Sequence, residues 1–230
     1  MAEEKSGSFI WLLLIFFVCP LLCCGILSSN SNLLQSGQIS PTAEVNAGRF
    51  AQILLLPYLN NEGIGSASGQ ANFDGSSFSY PANQLPASGL RLLGGVPYLF
   101  PKSAPNANDN IAALGQVIKL PPGNFQRAFM LVATSWGATD NPLQVTVQYT
   151  DGSTSSGSFD APDWDIGPSG VVNTDRYSQT GTAGLAHIYA IQIAMDGTKS
   201  ASSLILPTTA QPEANVLCLH VFALTLQYAA

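Results

Sequence analysis

The sequence predicts an all-β, jelly-roll-like β-sandwich preceded by a single N-terminal transmembrane helix, and three observations lead to this fold class. First, 46% of the 230 residues are hydrophobic and only 10% are charged, which provides enough apolar side chains for a sizeable core. Second, the 21 glycines and 15 prolines help to separate short apolar runs along most of the chain, a pattern typical of strands joined by turns. Third, residues 9–27 contain no charged side chain.

The N-terminal segment is interpreted as a membrane anchor. Residues 9–27 (FIWLLLIFFVCPLLCCGIL) are long enough to cross a bilayer as a helix. Residues 1–8 carry Glu3 and Glu4 beside a single Lys5, which is a poor match to the basic start of a cleaved signal peptide. We therefore expect an uncleaved signal-anchor, with residues 1–8 in the cytoplasm. A cleaved signal peptide and a lipid-modified or buried helix are the alternatives.

The rest of the chain divides into a linker and one domain. Residues 28–48 are rich in Ser and Asn and lack apolar periodicity, which predicts a flexible linker. Residues 49–230 form the predicted sandwich domain, which a signal-anchor would place outside the cell. Cys218 is the single cysteine of this domain, so an intradomain disulfide is excluded and a buried thiol is expected.

The strands of the domain follow from its runs and turns. Residues 143–149 alternate apolar and polar side chains, which predicts a strand with one buried face. The Asp151-Gly152 pair that follows is a hairpin signal, so residues 154–159 are the expected partner. Residues 128–135 are mostly apolar and predict a central strand. The other predicted strands are residues 50–56, 90–93, 98–100, 115–120, 188–194, 201–206 and 216–226; the last is long enough for a helix but lacks helix caps.

An ordered series of phrases carries a family resemblance. It consists of LLLPYLNNEGIG at 54–65, ANFDGSSFSYPANQLP at 71–86, VPYLFP at 96–101, DNIAALGQVIKLPPG at 109–123, VTVQYTDGST at 145–154, DAPDW at 160–164, HIYAIQIAMDGTKSASSLILP at 187–207 and VFALTL at 221–226. The series resembles the galactose-binding-like jelly-roll modules appended to bacterial glycoside hydrolases. The resemblance implies a sandwich of eight or more strands without a catalytic centre of its own.

The sequence lacks the features that usually indicate several classes of function. The net charge of -6, with 8 Lys and Arg residues that do not cluster, argues against nucleic-acid binding. The motifs HExxH, GxSxG and CxxC are absent from the sequence, so the common metalloprotease, hydrolase and thiol-redox sites are not indicated. A glycosidase needs two closely placed carboxyls, and Asp160, Asp163 and Asp165 are close enough in sequence to be candidates. They lie in a Pro/Gly-rich loop, however, where Asp is an ordinary turn-forming residue. We predict no catalytic residue, no cofactor and no metal site.

Sugar binding requires an aromatic face flanked by polar side chains, and three segments provide this combination. Trp136 precedes Asp140 and Asn141, Trp164 follows Asp163, and Tyr177 follows Arg176. The predicted ligand-binding residues are Trp136, Asp140, Asn141, Asp163, Trp164, Arg176 and Tyr177. The alternative for the two tryptophans is a structural role, with Trp164 closing one end of the sandwich and Trp136 packing beneath a loop.

The function expected from these observations is recognition at a cell surface. The domain would be a membrane-anchored, noncatalytic module that binds a carbohydrate or a cell-surface protein. The first alternative is a structural protein that packs against copies of itself or against a surface partner. A glycoside hydrolase that uses the acidic loop is the last alternative.

Overall fold

The described part of the chain, residues 49–137 and 142–230 of a computed structural model, consists of β-strands with two short 3-10 turns. The turns span Leu56–Tyr58 and Ala82–Gln84. The strands are β1 (Phe50–Ile53), β2 (Ile64–Gly65), β3 (Tyr80–Pro81), β4 (Gly89–Leu93), β5 (Val96–Phe100), β6 (Ile111–Ala112), β7 (Val117–Lys119), β8 (Phe125–Ser135), β9 (Leu143–Tyr149), β10 (Thr154–Phe159), β11 (Val172–Tyr177), β12 (Thr182–Ala194), β13 (Ala201–Ile205) and β14 (Cys218–Tyr228).

Two antiparallel sheets form the body of the domain. The larger sheet has the strand order β1-β14-β8-β12-β11, and β6 also pairs with β14. The smaller sheet has the order β10-β9-β13-β7. Val145 and Val147 of the smaller sheet lie in the same buried apolar cluster as Met130 and Leu224 of the larger one. The two sheets share one core, so the predicted all-β sandwich is confirmed.

The clearest sequence patterns are found where they were expected. In β9 the side chains of Val145, Val147 and Tyr149 are buried, and the residues between them are more exposed. The Asp151-Gly152 turn joins β9 to its antiparallel partner β10. β8 lies between β14 and β12 at the centre of the larger sheet, and β14 is a strand rather than a helix.

A second apolar layer covers the larger sheet. Ten of the eleven residues of β14 are buried, so both faces of this strand are covered. The β4–β5 hairpin contributes to the cover, since the Thr225 hydroxyl donates a 2.8 Å hydrogen bond to the Pro97 carbonyl. Phe73 contributes as well: its ring packs 5.0 Å from that of Tyr80 and 3.8 Å from the imidazole of His220. This layer supports the cavity described below.

Some predicted boundaries were wrong for local reasons. The run 50–56 does not continue as one strand, because β1 ends at Ile53 and Pro57 lies in a 3-10 turn. The sequence predicted no strand around Tyr177, but β11 lies there and pairs with β12. β12 itself begins at Thr182, before the expected start of the 188–194 run.

The predicted anchor at 9–27 and linker at 28–48 lie outside the described residues. Within residues 49–137 and 142–230, no helix has the length and apolar character needed to cross a membrane. The finer jelly-roll assignment stays a prediction. Cys218 has a free thiol buried in the protein, as expected, and this burial raises its pKa to about 12.

Candidate functional site

A cavity of about 420 Å³ brings together residues that the sequence analysis singled out separately. It is called the Trp136 cavity below. Of the predicted ligand-binding residues, Trp136, Asp163, Trp164 and Arg176 line it. The remaining lining residues are Asp74, Phe78, Gly137, Asp165 and Ile166. The cavity therefore combines aromatic surface, carboxylates and one guanidinium.

Trp136 lies at the edge of this cavity in a strained backbone conformation. It follows the last residue of β8 and has a φ of 60°, in the left-handed region that costs a bulky residue about 1–3 kcal/mol. Its indole Nε1 donates a hydrogen bond to the carbonyl of Asp74, and its side chain is 37% exposed. Exposed aromatic surface held in place at a strained position is a common feature of binding sites.

Asp163 fixes the chain beside Trp136. Its Oδ2 accepts a 2.6 Å hydrogen bond from the Gly137 amide, and its Oδ1 accepts a 3.0 Å bond from the Asp165 amide. The carboxyl is buried, and this desolvation raises its pKa. The hydrogen bonds from backbone amides and the positive charge of Arg176 act in the opposite direction and lower it. Asp163 is thus mainly a residue that positions the wall of the cavity.

Asp74 occupies a similar position in the segment between β2 and β3. Its Oδ1 accepts hydrogen bonds of 2.8 Å from the Ser76 amide and 3.2 Å from the Phe78 amide. Burial raises the pKa of this carboxyl as well. This turn contacts Trp136, because the Asp74 carbonyl accepts the hydrogen bond from the indole.

Arg176 is held on three sides. Its Nη1 forms an ion pair with Asp165, and its Nε donates a 2.9 Å hydrogen bond to the Ala183 carbonyl. The guanidinium carbon lies 4.4 Å from the centre of the Phe78 ring and 5.6 Å from that of Trp164, within the range of cation–π attraction. Burial lowers its pKa, opposed by the nearby Asp74 and Asp163.

Trp164 forms the floor of the cavity rather than an exposed platform. Its side chain is 1% exposed, and it packs 4.5 Å from Phe73 and 5.0 Å from Tyr80 between ring centres. The structure thus places this predicted ligand-binding residue in the aromatic layer over the larger sheet. The structural alternative expected Trp164 to close one end of the sandwich; the structure shows its side chain buried against Phe73 and Tyr80.

The remaining predicted ligand-binding residues are Tyr177, Asp140 and Asn141. Tyr177 follows Arg176 in β11, but it does not line the cavity, and its backbone pairs with that of Ser79. Asp140 and Asn141 lie outside the described residues. Asp160, one of the acids of the glycosidase alternative, is exposed and does not line the cavity either.

Phe78, Ile166 and Asp74 were missed as cavity residues by the sequence analysis. Asp74 is 62 positions from Trp136 along the chain, and their contact depends on the fold of the segment between β2 and β3. Ile166 is exposed at the cavity, next to the acidic pair Asp163 and Asp165. No local pattern in the sequence connects these segments.

Both histidines lie in buried positions with hydrogen-bond partners. The His220 Nδ1 is 2.8 Å from Asn110 Oδ1, and its Nε2 is 3.4 Å from the hydroxyl of Ser135. The His187 Nδ1 is 2.7 Å from Asn173 Oδ1. Neither histidine lines the Trp136 cavity. In the part of the chain that the structure describes, no group of three His, Cys, Asp or Glu side chains is arranged to hold a metal ion.

Comparison with known proteins identifies the type of domain. A family model described as the AziU2-like beta-sandwich domain matches residues 51–229. The match covers both sheets except for Phe50, and it includes all the residues of the Trp136 cavity. None of the curated proteins compared with the chain matches it.

Proposed function

The chain belongs to the AziU2-like beta-sandwich domain family, and we propose that it is a noncatalytic recognition module that binds a carbohydrate in the Trp136 cavity. The observation that carries this proposal is the exposed indole of Trp136 at the edge of a cavity that also contains an ion pair and two buried carboxyls. Pyranose rings pack their C–H faces on aromatic rings and present hydroxyls to charged and amide groups. The Trp136 cavity has both kinds of surface.

The polar groups of the cavity support binding rather than catalysis. Asp163 accepts hydrogen bonds from two backbone amides, and Asp165 is paired with Arg176. Both acids are therefore used in fixing the cavity walls, whereas a glycosidase needs one carboxyl as acid and another as nucleophile or base. In this proposal the carboxylate and guanidinium atoms that remain accessible bind the hydroxyls of the sugar.

The proposal also includes presentation at a membrane surface. The uncharged span 9–27 would anchor the chain, and the linker 28–48 would extend the sandwich away from the bilayer. Because a sugar-binding module at a cell surface meets glycans of the cell envelope or of neighbouring cells, the two parts of the proposal fit together. The anchor is tested separately, by alkaline extraction of membranes from cells that express the full chain.

A glycan array with residues 49–230 tests the binding proposal. We expect saturable binding to a subset of glycans, weakened at least tenfold, or about 1.4 kcal/mol, by Trp136→Ala. Leu92→Ala is the matched control, because Leu92 is 73% exposed and does not line the cavity. Circular dichroism checks that all three proteins are folded. A folded wild-type domain that binds no glycan would contradict the proposal, as would equal binding by the Trp136→Ala variant.

A further inference from the structure

A second cavity, of about 360 Å³, is lined mainly by apolar side chains, together with Ser88, Gly89 and Lys102. Leu54, Leu55, Leu56 and Leu59 form one wall, and Leu99 and Phe222 contribute to the others. It is called the leucine cavity below. Its volume lies within the range of small-molecule sites, which is about 300–1,000 Å³. Leu56 is 63% exposed and lines this cavity.

Hydrogen bonds fix the walls of the leucine cavity. The Tyr58 amide donates to the Leu55 carbonyl at 2.8 Å, and the Tyr58 hydroxyl accepts a 3.0 Å bond from the Lys119 amide. On another side, the guanidinium of Arg91 donates to the carbonyls of Ala87 and Ser88, at 2.7 and 3.1 Å. The cavity is therefore preformed, and a ligand would not need to order its walls.

A polar compartment adjoins the leucine cavity. This smaller cavity has a volume of about 230 Å³ and shares four lining residues with the leucine cavity: Ser88, Phe100, Pro101 and Lys102. Ser103 adds a further hydroxyl to it. Lys102 is exposed, and within residues 49–137 and 142–230 the ion pairs are Arg176–Asp165 and Lys199–Asp151, so no carboxylate of the described chain neutralises Lys102.

From these adjoining compartments we propose that the domain binds a medium-chain fatty acid, with the acyl chain in the leucine cavity and the carboxylate at Lys102. An apolar cavity of this size accepts a flexible hydrocarbon chain. An ammonium group and hydroxyls at the boundary with the polar compartment accept an anionic head group. The occupant therefore has to be amphiphilic and negatively charged at one end, in spite of the net charge of -6 of the protein.

This site is separate from the carbohydrate proposal. The leucine cavity and the Trp136 cavity have no lining residue in common. A failure of fatty-acid binding would leave the proposed sugar site untouched, and the converse also holds.

Photolabelling of the full-length chain tests the proposal. The probe is decanoic acid with a diazirine in its chain, and mass spectrometry locates the labelled peptides after irradiation. We expect saturable labelling of peptides that contain residues 54–59 or 99–102. Excess sodium decanoate should suppress it at tenfold lower concentration than decanol, because decanol lacks the charge that Lys102 binds.

Two pairs of variants complete the experiment. Lys102→Met should lower the labelling at least fivefold, whereas Lys119→Met, at an exposed lysine that does not line the leucine cavity, should leave it unchanged. Leu56→Glu should abolish the labelling, whereas Leu92→Glu should not, and both leucines are exposed enough for the change to be tolerated. Thermal melting confirms that each variant is folded.

Each of the following outcomes would overturn the proposal. The first is labelling of residues 54–59 and 99–102 that does not saturate. The second is equal competition by decanol and decanoate, which would show a nonspecific apolar surface. The third is unchanged labelling of the Lys102→Met variant, or labelling confined to residues 9–27.

Discussion

Trp136 combines a strained backbone with exposed aromatic surface, and the strain itself can be measured. Its φ of 60° is unfavourable for any side chain with a Cβ and is free of that penalty for glycine. The Asp163 carboxylate, which accepts a hydrogen bond from the next amide, helps to hold the residue in this conformation. The strained residue is thus also a residue that lines the cavity.

We therefore predict that Trp136→Gly is more stable than Trp136→Ala by about 1 kcal/mol, since both lose the indole but only alanine retains the strain. Urea unfolding of the two variants of residues 49–230 measures the difference. At Leu92, in β4, φ is not positive, so the order should be reversed and Leu92→Ala should be the more stable of that pair. An alanine variant at 136 as stable as the glycine variant would contradict the backbone conformation described.

His220 and Asp109 are buried groups whose titration has opposite effects on stability. Burial lowers the pKa of His220 to about 3 in the folded protein. The contribution of its neutral side chain to folding stability is therefore present above the pKa of the unfolded state, about 6.5, and is lost as pH falls towards 3. Burial raises the pKa of Asp109 to about 7, in spite of hydrogen bonds from Asn110 and two backbone amides. The contribution of the protonated Asp109 carboxyl to folding stability is present below about pH 4 and is lost as pH rises through 7.

The His220→Gln substitution separates these two effects. At pH 7 the variant should be less stable than wild type, because it loses the stacking on Phe73. On acidification to pH 4.5 the wild type alone loses the histidine contribution, so the difference in unfolding free energy should shrink by about 2 kcal/mol. Urea unfolding at both pH values measures it. A difference that is the same at pH 7 and 4.5 would show that His220 titrates normally.

At the scale of elements, the pair Arg176–Asp165 joins β11 to the loop that carries Asp163 and Trp164. The two charged side chains are each about one-fifth exposed, so solvent screens their attraction only in part. Phe78 packs against the guanidinium from the segment between β2 and β3. Three separate segments of the chain therefore meet at Arg176.

A double-mutant cycle tests this connection. Arg176→Met leaves Asp165 without its partner, and Asp165→Asn leaves Arg176 without its own, so each single variant should be destabilised. The double variant should recover part of the loss, with a coupling free energy of about 1 kcal/mol that decreases in high salt. Strictly additive effects would mean that the ion pair contributes nothing to the position of the loop.

The same elements show what the sequence predicts and what it leaves open. β9 was predictable because its buried and exposed side chains alternate, and β8 because it is apolar and lies at the sheet centre. β11 was missed because only Val172 and Thr174 of its six residues are buried. An edge strand with so few buried side chains carries little periodic signal.

The candidate site was predictable only in its parts. Trp136, Asp163 and Arg176 were chosen for their residue types, and the structure gathers them through the pairing of Thr134 with Asp163 and of β11 with β12. The sequence has no signal for the contact between Trp136 and Asp74, because a single long-range hydrogen bond forms it. The burial of Trp164 likewise depends on Phe73 and Tyr80, which lie far from it in the chain.

At the scale of the whole molecule, the larger sheet is enclosed between two apolar layers. The sandwich core fills one side, and the aromatic layer around Phe73 covers the other. Both layers belong to one continuous cluster of buried side chains. Loss of either layer would therefore expose the central strands β8 and β14.

We predict that the two layers unfold together. In the Trp136→Phe variant of residues 49–230, Trp164 is the sole tryptophan and reports on the aromatic layer, while far-ultraviolet circular dichroism reports on the sheets. Their urea transitions should coincide, as expected for a two-state domain. Phe73→Ala in this background should shift both transitions equally, by about 3–5 kcal/mol. An earlier fluorescence transition would show that the aromatic layer is a separate unit.

The central claim, a glycan bound against Trp136, is tested most directly by acrylamide quenching of tryptophan fluorescence in residues 49–230. This domain contains two tryptophans, the exposed Trp136 and the buried Trp164, so quenching without ligand arises mainly from Trp136. We predict that a saturating glycan chosen from the array reduces this quenching by at least half. Binding of the glycan with unchanged quenching, or the absence of any glycan that binds, would contradict the account.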